Sequence, residues 1–539
     1  MDKKTLREAI AKDVIVHFSP ERPIVMVDEA SYAPWLFDFR ALLLQPRWLD
    51  AYAEFFWDAC AKRYPFQVCA MESAGIALVA AIVMKSMERG TPVNGLFIRK
   101  SRKRQGLMRR LEGAPTRDPV ILVDDLVNSG NTFTTQIQVL EREGLAVSDM
   151  FALIAFRDDT AYAPLLDKKR TMHKLFTLED FGLSLTTPKA KRAALTQLWH
   201  FAAPNPAFNY VVQKSAPVLD AERVYFGSDA GTFYALNQND GSVAWSFETG
   251  KHPAGKGIFS SPALHRDTVY FGAYDGNVYA LEARSGTLKW KYEDADWVGS
   301  SPSLAPDLGL LFIGLEFGLF RKQGGMVALR MDTGEVVWQH HSGECTHGSP
   351  LYIREKNMVV VGSNDDIVYA YRADSGAPLW QYRVQGSVKS SFAYDPKRQL
   401  ILFGSLGGLF YALDTDGTPI FAYEPSAGSY STPLVIGETA YFSSLDKGVY
   451  ALDLDTGSKK WEFRTAGRIF ASPLLVEDAI YIGSNDGRLY AIDPETGAGQ
   501  SVFQATERIV NKIAYNPATK RFFMTTVANE LYCMTRTPQ

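Results

Sequence analysis

Cysteine is scarce in this chain: four residues in 539, Cys60, Cys69, Cys345 and Cys533, with no CxxC and no neighbouring pair. That spacing excludes a disulfide framework and a zinc site built on paired cysteines. Long apolar runs are missing too. The longest, Ile76 to Met84, falls far short of the roughly 20 residues needed to cross a bilayer, and its small residues suit a buried helix. The opening Met1-Asp2-Lys3-Lys4-Thr5-Leu6-Arg7-Glu8 is polar and leads into no apolar stretch with a cleavage site, so no secretory leader is expected. Neither sign of charge dominates: 57 Lys and Arg against 60 Asp and Glu give a net charge of -3 and no overall basic signal for nucleic acid. Together these absences predict a cytoplasmic protein with neither membrane nor nucleic acid as its partner.

What is present divides the chain in two. A composition of 46% hydrophobic and 22% charged residues fits a globular protein, and the 42 glycines and 12% aromatics suit short strands joined by tight turns. Up to about residue 200, strand-like and helix-like stretches alternate. Phe66 to Ala70, Val93 to Ile98, Val120 to Val123 and Val147 to Phe156 read as strands; Gly75 to Glu88 and Thr132 to Glu143 read as helices. This is the βαβ rhythm of a mostly parallel sheet, which binds ligands at the carboxyl ends of its strands.

From about Ser215 a repeat takes over. One unit runs Ser261-Pro262, Val269-Tyr270-Phe271-Gly272, Asp275-Gly276, Val278-Tyr279-Ala280-Leu281, Ser285-Gly286 and Trp290. The central position recurs as Tyr234, Tyr279, Val327, Tyr369, Tyr411, Tyr450, Tyr490 and Tyr532. Eight units of about 40 to 45 residues, each with four strand-like runs, predict an eight-bladed propeller. A ring residue closes each unit: Trp245, Trp290, Trp338, Trp380 and Trp461, with Phe421 and Phe503 in matching places. These read as core between blades. Seven closing strands for eight units leave one to find, and Phe208 to Val212 is expected to supply it and join the ends of the ring. The fragments Tyr450-Ala451-Leu452-Asp453 and Thr456-Gly457 to Trp461 resemble PQQ-like propeller repeats. The quinone-dependent dehydrogenases of that family use adjacent cysteines, which this chain lacks, so no PQQ is expected. A protein-binding platform is the better reading of this half.

The chemistry concentrates in Val120-Ile121-Leu122-Val123-Asp124-Asp125-Leu126-Val127-Asn128-Ser129-Gly130-Asn131-Thr132. A buried strand delivers two carboxylates to its end, and a loop of small residues opens into a helix. Backbone N–H groups there, with the Ser129 and Thr132 hydroxyls, suit a phosphate monoester. Asp124 and Asp125 suit ribose hydroxyls or Mg2+. An acidic pair before a helix cap also occurs in many α/β proteins without that role. A second feature is the run from Arg99 to Arg110, seven basic residues with no acid, which alone reads as a solvated loop or a nucleic-acid patch.

These residues resemble the phosphoribosyl diphosphate (PRPP) motif of type I phosphoribosyltransferases, and other stretches resemble the orotate phosphoribosyltransferase branch. Arg99-Lys100-Ser101-Arg102-Lys103-Arg104-Gln105-Gly106 is similar to that branch's mobile loop, ending at Leu111-Glu112-Gly113. Phe37-Asp38-Phe39-Arg40 is similar to its early segment, Glu72-Ser73-Ala74-Gly75 to its diphosphate-side loop, and Leu175 to Asp180 to its closing segment. The resemblance implies an α/β type I phosphoribosyltransferase fold that binds PRPP through Glu72, Ser73, Arg99, Lys100 and Asn128, Ser129, Gly130, Asn131 and Thr132. Catalysis falls to Lys103, Asp124 and Asp125, metal binding to Asp124 and Asp125, and a nucleobase-like acceptor to Arg157. It also implies a homodimer through this domain. Three positions bear on the acceptor and on turnover: Gln105 replaces the loop histidine, Tyr32 replaces a lysine expected near an orotate carboxylate, and Arg157 keeps the pyrimidine-gripping arginine.

The sequence therefore predicts a multidomain chain: a phosphoribosyltransferase-like domain over 1–184, a linker over 185–206 with a helix through Trp199, and a PQQ-like propeller over 207–539. Three functions follow from it: a Mg2+-dependent enzyme transferring phosphoribose from PRPP to a base such as orotate, a regulator sensing PRPP or a nucleotide, or a propeller-centred scaffold.

Overall fold

The computed structural model describes residues 2–17, 24–26, 31–33, 35–39, 43–72, 74–99, 110–128, 130–166, 170–184, 194–206, 215–250, 257–318 and 323–537. They fall into two compact units, Met1–Lys191 and Arg192–Gln539.

In the first unit, helix α1 (Lys3–Asp13) begins where the Asp2 carboxylate accepts the Thr5 N–H at 2.7 Å, which satisfies one of the free amides of the first turn. Two short ribbons follow, pairing β1 (Ile15–His17) with β4 (Trp35–Phe37) and β2 (Ile24–Met26) with β3 (Ser31–Ala33). The rest alternates: α2 (Pro46–Cys60), β5 (Gln67–Met71), α3 (Ala74–Glu88), β6 (Gly95–Ile98), β7 (Leu111–Glu112), β8 (Val120–Val127), α4 (Asn131–Arg142), β9 (Val147–Ala155) and β10 (Thr171–Thr177). The sheet order is β10-β9-β8-β5-β6-β7, parallel throughout except for β7 at one edge. The order reverses between β5 and β8, and that switch point opens a crevice at the carboxyl ends of the strands.

Each face of the sheet has its own core. On β8, Ile121 and Val123 pack with α2 and α3, while Val120 and Leu122 pack with α4. Past Asp124 and Asp125 the alternation is displaced by one: Leu126 joins the first core and Val127 the second. A strictly alternating strand would send one of the two carboxylates into an apolar layer; with the displacement, both stay half-exposed.

The second unit is a propeller of eight four-stranded antiparallel sheets. In the second blade these are Ala263–His265, Thr268–Gly272, Asn277–Glu282 and Leu288–Glu293. Thr268–Gly272 is buried along its whole length and the outer strand alternates, as expected of blades stacked face to face. The first strands of neighbouring blades approach one another and line the central channel.

Two devices join blade to blade. On the channel side, the Ser-Pro segments form a belt: Ala216 N–H donates to Ser261 Oγ at 3.0 Å, Ser261 N–H to Ser301 Oγ at 2.9 Å, Ser301 N–H to Ser349 Oγ at 3.0 Å, and Thr432 N–H to Ser472 Oγ at 2.9 Å. On the rim, each tryptophan donates its indole N–H to a carbonyl of the next blade, as from Trp245 to Ala283 at 3.0 Å and from Trp290 to Met331 at 2.9 Å. The ring lies on the glycine of that blade's turn. Gly286 has φ +75, and a Cβ there would sit 2.5 Å from the Trp245 ring, so both backbone and space demand glycine.

The rim device corrects two readings of the sequence. Within 185–206, read as a linker with a helix through Trp199, the described residues instead hold strand β11 (Leu195–Ala202), which pairs antiparallel with Glu530–Arg536 and completes the eighth blade. Trp199 is the missing ring residue; it donates to the Gln238 carbonyl at 2.9 Å and covers Gly241 as Trp245 covers Gly286. An irregularity between Gln197 and Trp199 interrupts the alternation that marks a strand. Phe208 to Val212 lies outside the described residues, and the edge assigned to it is occupied by β11. In the seventh blade, Phe503 stands opposite Leu489, whereas Gln500, opposite Ala491, holds the position that Trp461 holds opposite Ala451.

Candidate functional site

The residues singled out in the first unit converge on the switch point. Glu72 follows β5, Arg99 follows β6, Asp124 and Asp125 lie near the end of β8 with Asn128 just beyond it, and Arg157 follows β9. Four parallel strands thus bring distant residues to one crevice. Ser73, Lys100, Lys103, Gln105 and Ser129 lie outside the described residues, as do the side chains of Tyr32 and Asn131.

The two aspartates are braced locally. Asp124 Oδ1 accepts the Asp125 N–H at 3.0 Å, and Asp125 Oδ1 accepts the Leu126 N–H at 2.9 Å. Behind them Tyr52 of α2, fully buried, donates to the Asp124 carbonyl at 3.1 Å. Burial, reinforced by the charges of Asp124 and Asp125, pushes the Tyr52 phenol well above the usual tyrosine range, so it stays a neutral donor. Helix α4 then starts at Gly130, whose φ of 82 is left-handed and whose absent Cβ leaves room for Leu165, 2.6 Å from where that atom would be. Gly130 has no side chain with which to cap this helix start, which carries the partial positive charge of the helix end. Thr132 is exposed in the first turn.

Arg157 Nε donates to Asn128 Oδ1 at 3.2 Å, which links the residue after β9 to the loop after β8 through one contact. Tyr162, also fully buried, locks the ends of β8 and β9 together: its hydroxyl donates to the Val127 carbonyl at 2.9 Å and accepts the Arg157 N–H at 3.1 Å. Arg157 borders a cleft of about 710 Å³ that Phe156, Lys174, Thr177, Glu179 and Ser184 also line. On the other side, Arg99 Nε donates to Glu112 Oε1 at 2.8 Å, and its Nη1 lies 3.6 Å from Glu72 Oε2. Arg99 N–H donates to the Arg110 carbonyl at 2.9 Å, and Arg110 Nε to the Arg99 carbonyl at 3.3 Å. The two ends of the basic segment are therefore held together at the rim of the crevice. Tyr52, Tyr162 and Glu112 hold this site in place, and none carries a local sequence signal of that role.

Two half-buried aspartates side by side at a crevice fit Mg2+, which takes one or two carboxylates and completes its shell with water and substrate oxygens.

Comparison with known proteins separates the two units. Residues 192–361 and 364–538 match the model of the family described as outer membrane protein assembly factor BamB. The chain belongs to that family. Among solved structures, this BamB-family chain is similar to BamB from Moraxella catarrhalis, with a TM-score of 0.51 and 19% identity over 64% of this chain and 99% of that one. At that identity the likeness shows the propeller fold alone. The N-terminal part is similar to orotate phosphoribosyltransferases, 28% identical over 152 residues to that of Neisseria gonorrhoeae (strain ATCC 700825 / FA 1090) and 23% over 166 residues to that of Bradyrhizobium sp. (strain ORS 278). The matches cover 28% and 30% of this chain; the chain spans 64% of the Neisseria relative's length and 89% of the Bradyrhizobium relative's. This BamB-family propeller is thus preceded by a phosphoribosyltransferase-like region. Among the described residues, no helix is long and apolar enough to cross a membrane.

Proposed function

We propose that the first unit has the type I phosphoribosyltransferase fold, binds PRPP with Mg2+, and transfers its phosphoribosyl group to a nitrogenous base such as orotate, releasing diphosphate. The observation that carries this reading is the meeting of Asp124, Asp125, the Gly130 helix start and Arg157 on one crevice at the switch point. The α4 amides and the 128–132 loop hold the 5′-phosphate, and the two aspartates hold the ribose hydroxyls. Mg2+, held by Asp124 and Asp125, would supply positive charge for the diphosphate oxygens. Arg99 and Glu72 stand beside the diphosphate, and the basic segment anchored at Arg99 and Arg110 carries Lys103 to where negative charge accumulates. Arg157 grips the acceptor.

Calorimetry with PRPP and Mg2+, followed by diphosphate release with orotate and other bases, tests this. Binding without release by any base supports the second reading, a PRPP sensor, which Gln105 and Tyr32 favour. No PRPP binding overturns both.

The propeller acts as a protein-binding platform. Support comes from its outer strands, where Leu198, Val243, Leu288, Val336, Leu379 and Ile420 recur in six consecutive blades at 42% to 50% exposure. Blade six carries Lys460 near that level instead. Pull-down with the full chain, repeated after Val336 and Leu379 are changed to Glu, checks the platform.

A further inference from the structure

We propose that Lys512 is the cation of a site in the propeller's central channel that binds a small oxyanion such as inorganic phosphate. The argument begins with the belt that joins the Ser-Pro segments. At the equivalent position the blades carry Ala216, Ser261, Ser301, Ser349, Ser391, Thr432, Ser472 and Lys512. Seven side chains are small, and Ser261, Ser301, Ser349 and Ser472 each accept an amide of the preceding blade. Four of the eight positions make the belt bond; at the eighth blade the side chain itself differs, and an amine, which cannot accept, stands where the Ser472 N–H would find a hydroxyl.

The side chain faces the channel. Asn511 and Ile513 on either side are buried at 2% and 4%, while Lys512 is exposed, the alternation that the belt shows at Pro217, Pro262 and Pro350 beside half-buried Ala216, Ser261 and Ser349. Asn511 is committed inward, donating to the Ser215 carbonyl at 3.1 Å and to Thr525 Oγ1 at 2.8 Å. One step further along, the first strands line the channel with Ala263, Ser303, Ala393 and Ala514, none of which offers a negative charge. Among the described residues, neither the Lys512 amine nor the Ser472 N–H has a hydrogen-bond partner.

The ammonium group and the unpaired Ser472 N–H are two donors with no acidic side chain among the neighbouring belt positions. Crowding by the channel walls pushes the Lys512 amine below the usual lysine range, a cost that an anion at this point offsets. An oxyanion with three or more oxygens offers acceptors to both the amine and the amide. A chloride ion supplies charge without that geometry.

The test uses the full chain and inorganic phosphate. Acetylation of lysines by an activated ester is followed residue by residue by mass spectrometry, and amide hydrogen exchange is followed in the peptide that contains Ser472. Saturating phosphate is expected to slow acetylation of Lys512 at least five-fold relative to chloride of equal ionic strength, leaving Lys397 on the surface unchanged, and to slow exchange at the Ser472 peptide. In Lys512→Ser, which returns a hydroxyl to the belt, exchange at that peptide should no longer respond to phosphate. Equal slowing of Lys512 by chloride, no slowing by either ion, or the same phosphate response in Lys512→Ser overturns the site.

Discussion

The propeller repeats its four-stranded sheet eight times and its rim tryptophan six times, whereas the α/β unit states each of its devices once. In the propeller, one tryptophan on one glycine explains little, but the same contact at Trp199, Trp245, Trp290, Trp338, Trp380 and Trp461 makes a rule, and Phe421 and Gln500 then stand out as departures from it. The α/β unit offers no internal standard. Asp124, Tyr52 and Arg157 must each be argued from their own neighbours, and the comparison that takes the place of repetition is with other proteins. Repetition thus makes architecture certain and singular sites conspicuous; a unique fold makes a site legible only once its parts are brought together.

The sharpest way to break this contrast is to open the ring. A fragment starting at Arg192 keeps β11, and one starting at Pro204 loses it, leaving Glu530–Arg536 as a bare edge. The shorter fragment should aggregate or melt at least 10 °C lower; equal melting temperatures would show that β11 is dispensable. Next in size is the rim. Trp290→Ala removes a buried ring and its hydrogen bond to Met331, and should cost about 3 to 5 kcal/mol by urea unfolding. A loss below about 1 kcal/mol would mean that the blades do not depend on this contact.

In the α/β unit the expected balance is reversed, with function lost and stability kept. Asp124→Asn with Asp125→Asn should weaken PRPP binding by more than ten-fold, with little change in the first unit's melting, since both carboxylates are half-exposed. Unchanged affinity in a folded double variant would remove the pair from the site. Tyr52→Phe deletes a buried donor to the Asp124 carbonyl and should cost about 1 to 3 kcal/mol with a smaller effect on binding. The smallest effect is expected at Phe421, where Phe421→Trp would supply an indole N–H near Leu454; the gain should not exceed about 1 kcal/mol, and a loss would show that this interface is packed around the smaller ring. A purified sample with a quinone absorbance would contradict the expectation that the channel holds no PQQ.

The sequence made blade number, rim tryptophans and the Asp124–Thr132 segment legible because each is local, with its signal contained in a dozen neighbouring residues. What it hid was non-local. Leu195–Ala202 pairs with strands more than 300 residues away, and an irregularity blurs its alternation, so the stretch looks like a linker. Phe503 looked like a rim residue because it is aromatic and close to the right spacing, yet the register places Gln500 there. Tyr52 and Tyr162 read as core aromatics, and only the positions of the Asp124 and Val127 carbonyls reveal what their hydroxyls hold. Helix α2 and strand β10 also took shape only in the structure.

The position of β11 fixes an order of events during synthesis. The strand leaves the ribosome well before Glu530–Arg536, and at about 5 to 20 residues per second the interval is on the order of tens of seconds. Throughout that time the α/β unit is complete, while the nascent ring carries two unmatched ends, one waiting at each terminus of a growing stack. Glu530–Arg536 is therefore the strand that decides whether a closed circle or an open, adhesive ribbon results, and a chain cut just before it would suffer more than the small number of its residues suggests.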